Sequence, residues 1–186
     1  MPAESNLESL RRNVAECREC QLGEGRQQMV FGEGPSDAAL FLLGEAPGAT
    51  EDETGRPFVG RAGELLSEIL LKAGIERQAV FITGSCKCRP PKNRNPSKIE
   101  LAACKPILLA QLALIRPQIV VCLGLVATRN LLGPKSRMTD VRGGCFAAGN
   151  YLICPTYHPA AVLRGTVKAD LLVADLRLVR ERLEKR

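Results

Sequence analysis

Four short apolar runs constrain this chain more than any other feature of it. They are residues 38–43 (AALFLL), 79–83 (AVFIT), 118–123 (QIVVCL) and 151–154 (YLIC). None alternates between apolar and polar residues, so each is predicted to be a strand buried on both faces, as strands of a parallel sheet are. The segments between them carry helical spacing instead. Residues 62–73 place Leu65, Leu66, Ile69 and Leu70 on one side and stop at Gly74. Ser97 with Glu100 is a capping box for a helix running to about Ile115, in which Pro106 predicts a kink or a late start. A short helix ends at Gly133, and the leucine- and charge-rich tail from Lys168 is a further helix. Ahead of the first strand, residues 5–16 form an amphipathic helix with Leu7, Leu10 and Val14 on one face, and residues 23–37 an extended loop. Residues 134–150 read as irregular structure or weak strands. Strands alternating with helices imply an α/β fold. The expected architecture is a single-domain αβα sandwich over residues 1–186, with a central, mainly parallel four-stranded sheet.

The chain has 186 residues, 45% apolar and 25% charged, the composition of a globular protein with a full core. A net charge of +6 favours a polyanionic partner. No apolar run approaches the length of a membrane span, and the N-terminal residues 1–5 have no secretory core, so a cytoplasmic location is expected. In that compartment most of the eight cysteines should be reduced thiols or metal ligands.

Residues 44–63, GEAPGATEDETGRPFVGRAG, leave the end of the first strand, where open α/β sheets bind ligands. Five glycines and two prolines shape the stretch, which carries four carboxylates and one aromatic, Phe58. Thr50 with Glu53 has the spacing of a capping box, and Asp52 and Glu53 read as helix-capping charges. Downstream, Lys87, Arg89, Lys92, Arg94 and Lys98 crowd into a proline-rich loop, either a solvated face or a surface for phosphates. Cys17 and Cys20, with Cys88 and Cys104 far along the chain, have the makings of a four-thiolate site. Spacing alone does not choose between zinc and an iron–sulfur cluster. Cys86 is a competing ligand, Cys122 and Cys154 read as small core residues, and Cys145 has no assignment. His158, the one histidine, is either structural or catalytic.

Three motifs together resemble the family 4 uracil-DNA glycosylases, iron–sulfur base-excision repair enzymes of bacteria and archaea. They are GEAPG with ED and GRPFVGRAG in residues 44–63, KCRPPKNRNP at 87–96, and TYHPAAVLR at 156–164. The resemblance runs from Cys17 to about Arg164. It implies a monofunctional DNA glycosylase acting on a deaminated base, most simply uracil, with DNA as partner and the chain as a monomer. It implies a [4Fe–4S] cluster on Cys17, Cys20, Cys88 and Cys104. It places Glu45, Glu51 and His158 in catalysis, His158 at uracil O2 and Glu51 against the 5-methyl of thymine. Gly44, Glu45, Ala46, Pro47, Phe58, Gly84 and His158 would meet the flipped base, with Phe58 stacking on it. Lys87, Arg89, Lys92, Arg94, Val162, Leu163 and Arg164 would meet the DNA. One departure stands out. Where the family has an asparagine that reads uracil O4 and N3–H, this chain has Gly84. A base preference shifted toward hypoxanthine or xanthine, and a non-catalytic cluster-bearing DNA-binding protein, are therefore the alternatives.

Overall fold

The computed structural model describes residues 3–185. Met1, Pro2 and Arg186, the ends of the expected domain and of the N-terminal stretch read above, lie outside them. The strands are β1 (Leu40–Gly44), β2 (Val80–Gly84), β3 (Ile119–Leu123), β4 (Phe146–Ala148) and β5 (Tyr151–Thr156). The helices are α1 (Ala3–Val14), α2 (Leu22–Gly25), α3 (Ala49–Thr54), α4 (Arg61–Lys72), α5 (Lys98–Ile115), α6 (Leu125–Leu132), α7 (Met138–Val141), α8 (Pro159–Leu163) and α9 (Ala169–Glu184). The sheet order is β2-β1-β3-β5-β4, with every pairing parallel except that of β4 with β5.

The four apolar runs are the four parallel strands, and their side chains alternate between two cores. Phe41, Leu43, Phe81, Val120, Cys122 and Ile153 face one cluster, shared with Leu7 of α1 and with Ile107, Leu108, Leu112 and Ile115 of α5. Leu40, Leu42, Val80, Ile82, Ile119, Val121 and Leu123 face the other, with Leu66, Ile69 and Leu70 of α4 and Leu172, Val173, Leu176 and Val179 of α9. Burial on both faces is why these runs lack a polar alternation.

Three expectations change. The sheet has five strands, not four. β4 is a three-residue edge strand joined to β5 by a turn through Gly149 (φ 59°) and Asn150. Its residues are mostly exposed, so no apolar pattern announces it. The register continues one step to bring Cys145 opposite Cys154, and the two form a disulfide. Cys145 thus has a partner, and Cys154 is not a free core thiol. Pro106 neither delays nor breaks α5. Pro106 and Ala102, whose carbonyl it leaves without a helical donor, both lie on the exposed side, where water can take that bond.

Candidate active site and cysteine recess

The parallel strands deliver three loops to one edge of the sheet, after β1, β2 and β5. The first is organised by Glu51. Its Oε2 accepts the Gly48 N–H at 3.1 Å, and its Oε1 accepts the N–H groups of Val59 (2.9 Å) and Gly60 (2.8 Å). The capping pair is therefore Gly48 with Glu51, not Thr50 with Glu53. Asp52 is not a solvated capping charge either. It is buried and accepts the Gln27 N–H at 3.1 Å.

These bonds present Phe58, which adopts a left-handed backbone (φ 51°) that a bulky residue holds only under constraint. Arg77 supplies part of it, donating from Nη2 to the Pro57 carbonyl (2.9 Å) and from Nη1 to Ser67 Oγ (3.0 Å). Glu33 pairs with Arg77 and with Arg56. The Phe58 ring lies where Gly44 has no side chain, because a Cβ there would sit 2.6 Å from the ring. A Cβ on Gly63 would sit 1.9 Å from the Phe58 carbonyl oxygen. Both glycines are thus close-approach residues.

His158 caps α8, its Nδ1 accepting the Ala160 N–H at 3.1 Å. Burial, helped by Arg164 and opposed by Glu51, pushes its pKa down to about 4. The ring is therefore neutral near pH 7. Since Nδ1 accepts a hydrogen bond, the proton is assigned to Nε2. The imidazole stacks against Phe58 with centroids 5.6 Å apart and planes at 29°. Gly124 makes room behind it, where a Cβ would stand 3.0 Å from that of His158. Below, Thr156 Oγ1 donates to Asp175 Oδ2 (2.6 Å), Arg142 pairs with the same carboxylate (2.9 Å), and Arg142 lies over the Tyr157 ring. Glu45 is partly buried, and burial holds its carboxyl above the usual range against the pull of Arg164. Arg164 and Leu163 are exposed at the end of α8, whereas Val162 packs partly on the core.

Gly84 pairs with Gly44 across β1 and β2. Beyond it the chain folds onto the first loop: Ser85 N–H and Oγ both reach the Gly44 carbonyl at 2.9 Å, and Cys86 N–H reaches the Glu45 carbonyl at 3.0 Å. A Cβ on Gly84 would lie 2.6 Å from the Cys86 carbonyl oxygen and 3.4 Å from Ala46 Cα. Main chain fills the space from which an asparagine would start.

The basic loop divides. Lys87 does not face DNA. It is 1% exposed, and its ammonium donates to Thr83 Oγ1 (2.6 Å), Gly84 O (2.8 Å) and Gln111 Oε1 (2.7 Å). Burial lowers its pKa to about 8, against the opposing influence of the neighbouring cysteines. Arg94 remains exposed but is engaged, gripping the buried Glu100 with both terminal nitrogens (2.8 and 2.6 Å) and holding that carboxyl down to about 2. Arg89 is half-buried and bonds Asn93 through Nε, and Lys92 and Lys98 are exposed.

Cys17, Cys20, Cys88 and Cys104 line one recess, together with Met29, Lys87 and Ile107. Among the described residues, no three His, Cys, Asp or Glu side chains converge closely enough, as they stand, to hold a metal ion. The sulfurs already receive donors: Arg26 Nη1 to Cys88 Sγ (3.2 Å) and Lys87 N–H to Cys104 Sγ (3.3 Å). Cys86 does not line the recess. Its thiol bonds to Cys104, which raises the pKa of Cys86 and lowers that of Cys104. Arg26 also holds the Ala15 and Cys17 carbonyls, closing the end of α1 onto the recess.

Sequence reasoning missed Arg26, Glu33, Arg77, Arg142 and Asp175. Asp175 did leave a signal, since it interrupts the apolar stripe of Leu172, Val173, Leu176 and Val179. The arginines left none, because a guanidinium that binds carbonyls looks like any surface arginine.

Residues 31–180 match the family described as the uracil DNA glycosylase superfamily. The chain is 43% identical over 167 residues to the type-4 uracil-DNA glycosylase of Pyrobaculum aerophilum, covering 86% of this chain and 85% of that one. It is 44% identical over 163 residues to the type-4 uracil-DNA glycosylase of Thermotoga maritima, covering 87% and 85%. Similarity to the type-5 uracil-DNA glycosylase of Thermus thermophilus is narrower, 36% over 118 residues and 55% of this chain.

Proposed function

The chain belongs to the type-4 uracil-DNA glycosylases of the uracil DNA glycosylase superfamily, and from that premise we propose that it excises uracil from DNA through a neutral His158. The observation that carries this reading is the fixed tautomer. With Nδ1 committed to the Ala160 N–H, Nε2–H is the free donor beside the Phe58 ring. A base drawn out of the duplex would stack on Phe58 between the 44–47 backbone and His158. As the C1′–N1 bond breaks, its electron pair passes to the base, and charge gathers on O2. A neutral imidazole donating from Nε2 stabilises that charge without giving up its proton. Water then adds to C1′ of the cationic sugar and releases a proton to solvent. Ala46 offers no general base, so stabilisation of the two charged fragments carries the rate. Glu45 contributes negative charge toward the sugar, tempered by Arg164. Glu51 serves by shaping the loop, its carboxylate being occupied by three N–H groups.

The cysteine recess fits a [4Fe–4S] cluster held by Cys17, Cys20, Cys88 and Cys104, because the four residues line one recess and the Cys88 and Cys104 sulfurs already face a guanidinium and a main-chain N–H. Cys17 and Cys20, just past the end of α1, with Cys88 and Cys104, would hold such a cluster, which would tie α1 to the basic loop and supply one-electron exchange. Arg89, Lys92, Lys98 and Arg164 are the cations left to meet phosphates, and Leu163 is the apolar group exposed to enter a base step. No helix among the described residues is long and apolar enough to cross a membrane. We place the enzyme in the cytoplasm, acting as a monomer.

The test is base release from duplex and single-stranded DNA carrying uracil, hypoxanthine, xanthine or thymine, with iron and sulfide analysis of the same preparation. Uracil release that falls at least a hundredfold in His158→Ala is expected. Gly84 makes the purine arms informative, since no side-chain amide stands at the base's edge. Release of a purine faster than uracil, or full activity in His158→Ala, would overturn the reading.

A further inference from the structure

Lys87 is the buried cation that the proposed chemistry leaves without a task. All three ammonium protons have acceptors within 2.8 Å, and none of those acceptors is a carboxylate. Two of them belong to one network, because Thr83 Oγ1 and Gln111 Nε2 both donate to the Phe31 carbonyl at 2.8 Å. The third is the Gly84 carbonyl. The residue's own main chain is held too, by Val30 N–H at its carbonyl and by Cys104 Sγ at its N–H. One side chain therefore joins the end of β2, the middle of α5 and the wall of the cysteine recess.

The Gly84 carbonyl is the consequential partner. The next two N–H groups along the chain, those of Ser85 and Cys86, hold the carbonyls of Gly44 and Glu45. Those two residues begin the loop that carries Phe58. Resting on the function proposed above, we propose that Lys87 is a positioning residue for base excision, fixing segment 84–86 and through it the 44–46 wall of the base pocket. An ammonium suits this task because three donors diverge from one atom to three acceptors on two segments, β2 and α5. An apolar side chain of the same length would fill the space and leave three acceptors without donors.

The test uses the full chain with its metal content intact, as Lys87→Met and, separately, Thr83→Val, which removes one acceptor and keeps the volume. Single-turnover uracil excision at saturating enzyme should fall about tenfold or more in Lys87→Met and about threefold in Thr83→Val. The half-saturating enzyme concentration and its salt slope should stay within twofold of wild type, and iron per chain should be unchanged. Amide hydrogen exchange at Ser85 and Cys86 should quicken in both variants. A salt slope reduced by about one unit would make Lys87 a phosphate contact and overturn the proposal. So would loss of iron in step with loss of rate, which would make it a support for the recess alone. An unchanged rate with unchanged exchange would overturn it outright. If wild type itself releases no uracil, the functional reading fails, while the exchange measurement still decides whether Lys87 holds segment 84–86.

Discussion

The loops that leave β1 and β2 lie side by side at the same edge of the sheet, yet they are held by opposite means. The 45–63 loop is held largely from within. Glu51 binds three of its own N–H groups, and Gly44 and Gly63 admit the Phe58 ring and carbonyl at distances no side chain would permit. The 85–96 loop is held from outside, by Lys87 to α5, by Arg94 to Glu100, and by the Cys88 sulfur to Arg26. An internally built loop fails when its backbone space is taken. An externally tied one fails when a tie is cut, and each tie has a separate effect. The difference has a functional sense. The first loop presents an aromatic face at a fixed height, whereas the second joins the cysteine recess to the exposed side chain of Lys92.

Gly63→Ala should show the largest effect of this contrast. Its Cβ would meet the Phe58 carbonyl at 1.9 Å, so α4 and the loop cannot both keep their places. A loss of about 4 kcal/mol in stability, or a folded protein with no measurable excision, is expected from denaturant unfolding and single-turnover assays. Near-wild-type behaviour would mean that the loop is not built around its glycines.

Acid titration probes the His158 side of the pocket. A histidine whose folded pKa lies near 4, against about 6.5 unfolded, binds fewer protons folded than unfolded between those values. Its contribution is complete above about pH 6.5 and is lost as pH falls toward 4, amounting to about 3 kcal/mol over the window. His158→Gln should flatten the pH dependence of unfolding there. Excision by wild type should persist at pH 5.5, where an unperturbed histidine would be mostly charged.

Gly84→Asn tests where the two loops touch. By sequence logic the amide should improve uracil reading. The geometry predicts the reverse, because its Cβ would lie 2.6 Å from the Cys86 carbonyl, an atom fixed in main chain. Excision should drop about tenfold, roughly 1.4 kcal/mol in the barrier. A gain in rate would show that segment 84–86 yields easily and that Lys87 does not hold it.

The smallest effects should come from the cations of the basic loop. Lys92→Ala should weaken DNA binding a few-fold at low salt and flatten the salt slope by about one unit. Arg94→Gln should change the slope less, since its guanidinium is engaged by Glu100, and should register as a small loss of stability. Equal slopes for the two variants would mean that Arg94 leaves Glu100 for a phosphate.

Sequence alone determined the four parallel strands and the helices that flank them. Those features rest on local signals, apolar runs and capping residues, whereas Phe58, His158 and the four cysteines were singled out by the resemblance of their motifs. The edge strand β4, read only as irregular structure or weak strand, was left out of the sheet, and the Cys145–Cys154 disulfide escaped, because a short exposed strand is selected by its partner and not by its own residues. The direction of each charged side chain was decided only by tertiary structure. Lys87, Arg89, Lys92 and Arg94 look alike in sequence, but Lys87 finds three buried acceptors on two other segments, and Arg94 a buried carboxylate six residues on. Gly84 is the sharpest case. As a letter it is a missing asparagine, and in the fold it is the space through which the Cys86 carbonyl passes. Sequence records which groups a residue lacks, whereas only packing decides what occupies the space left behind.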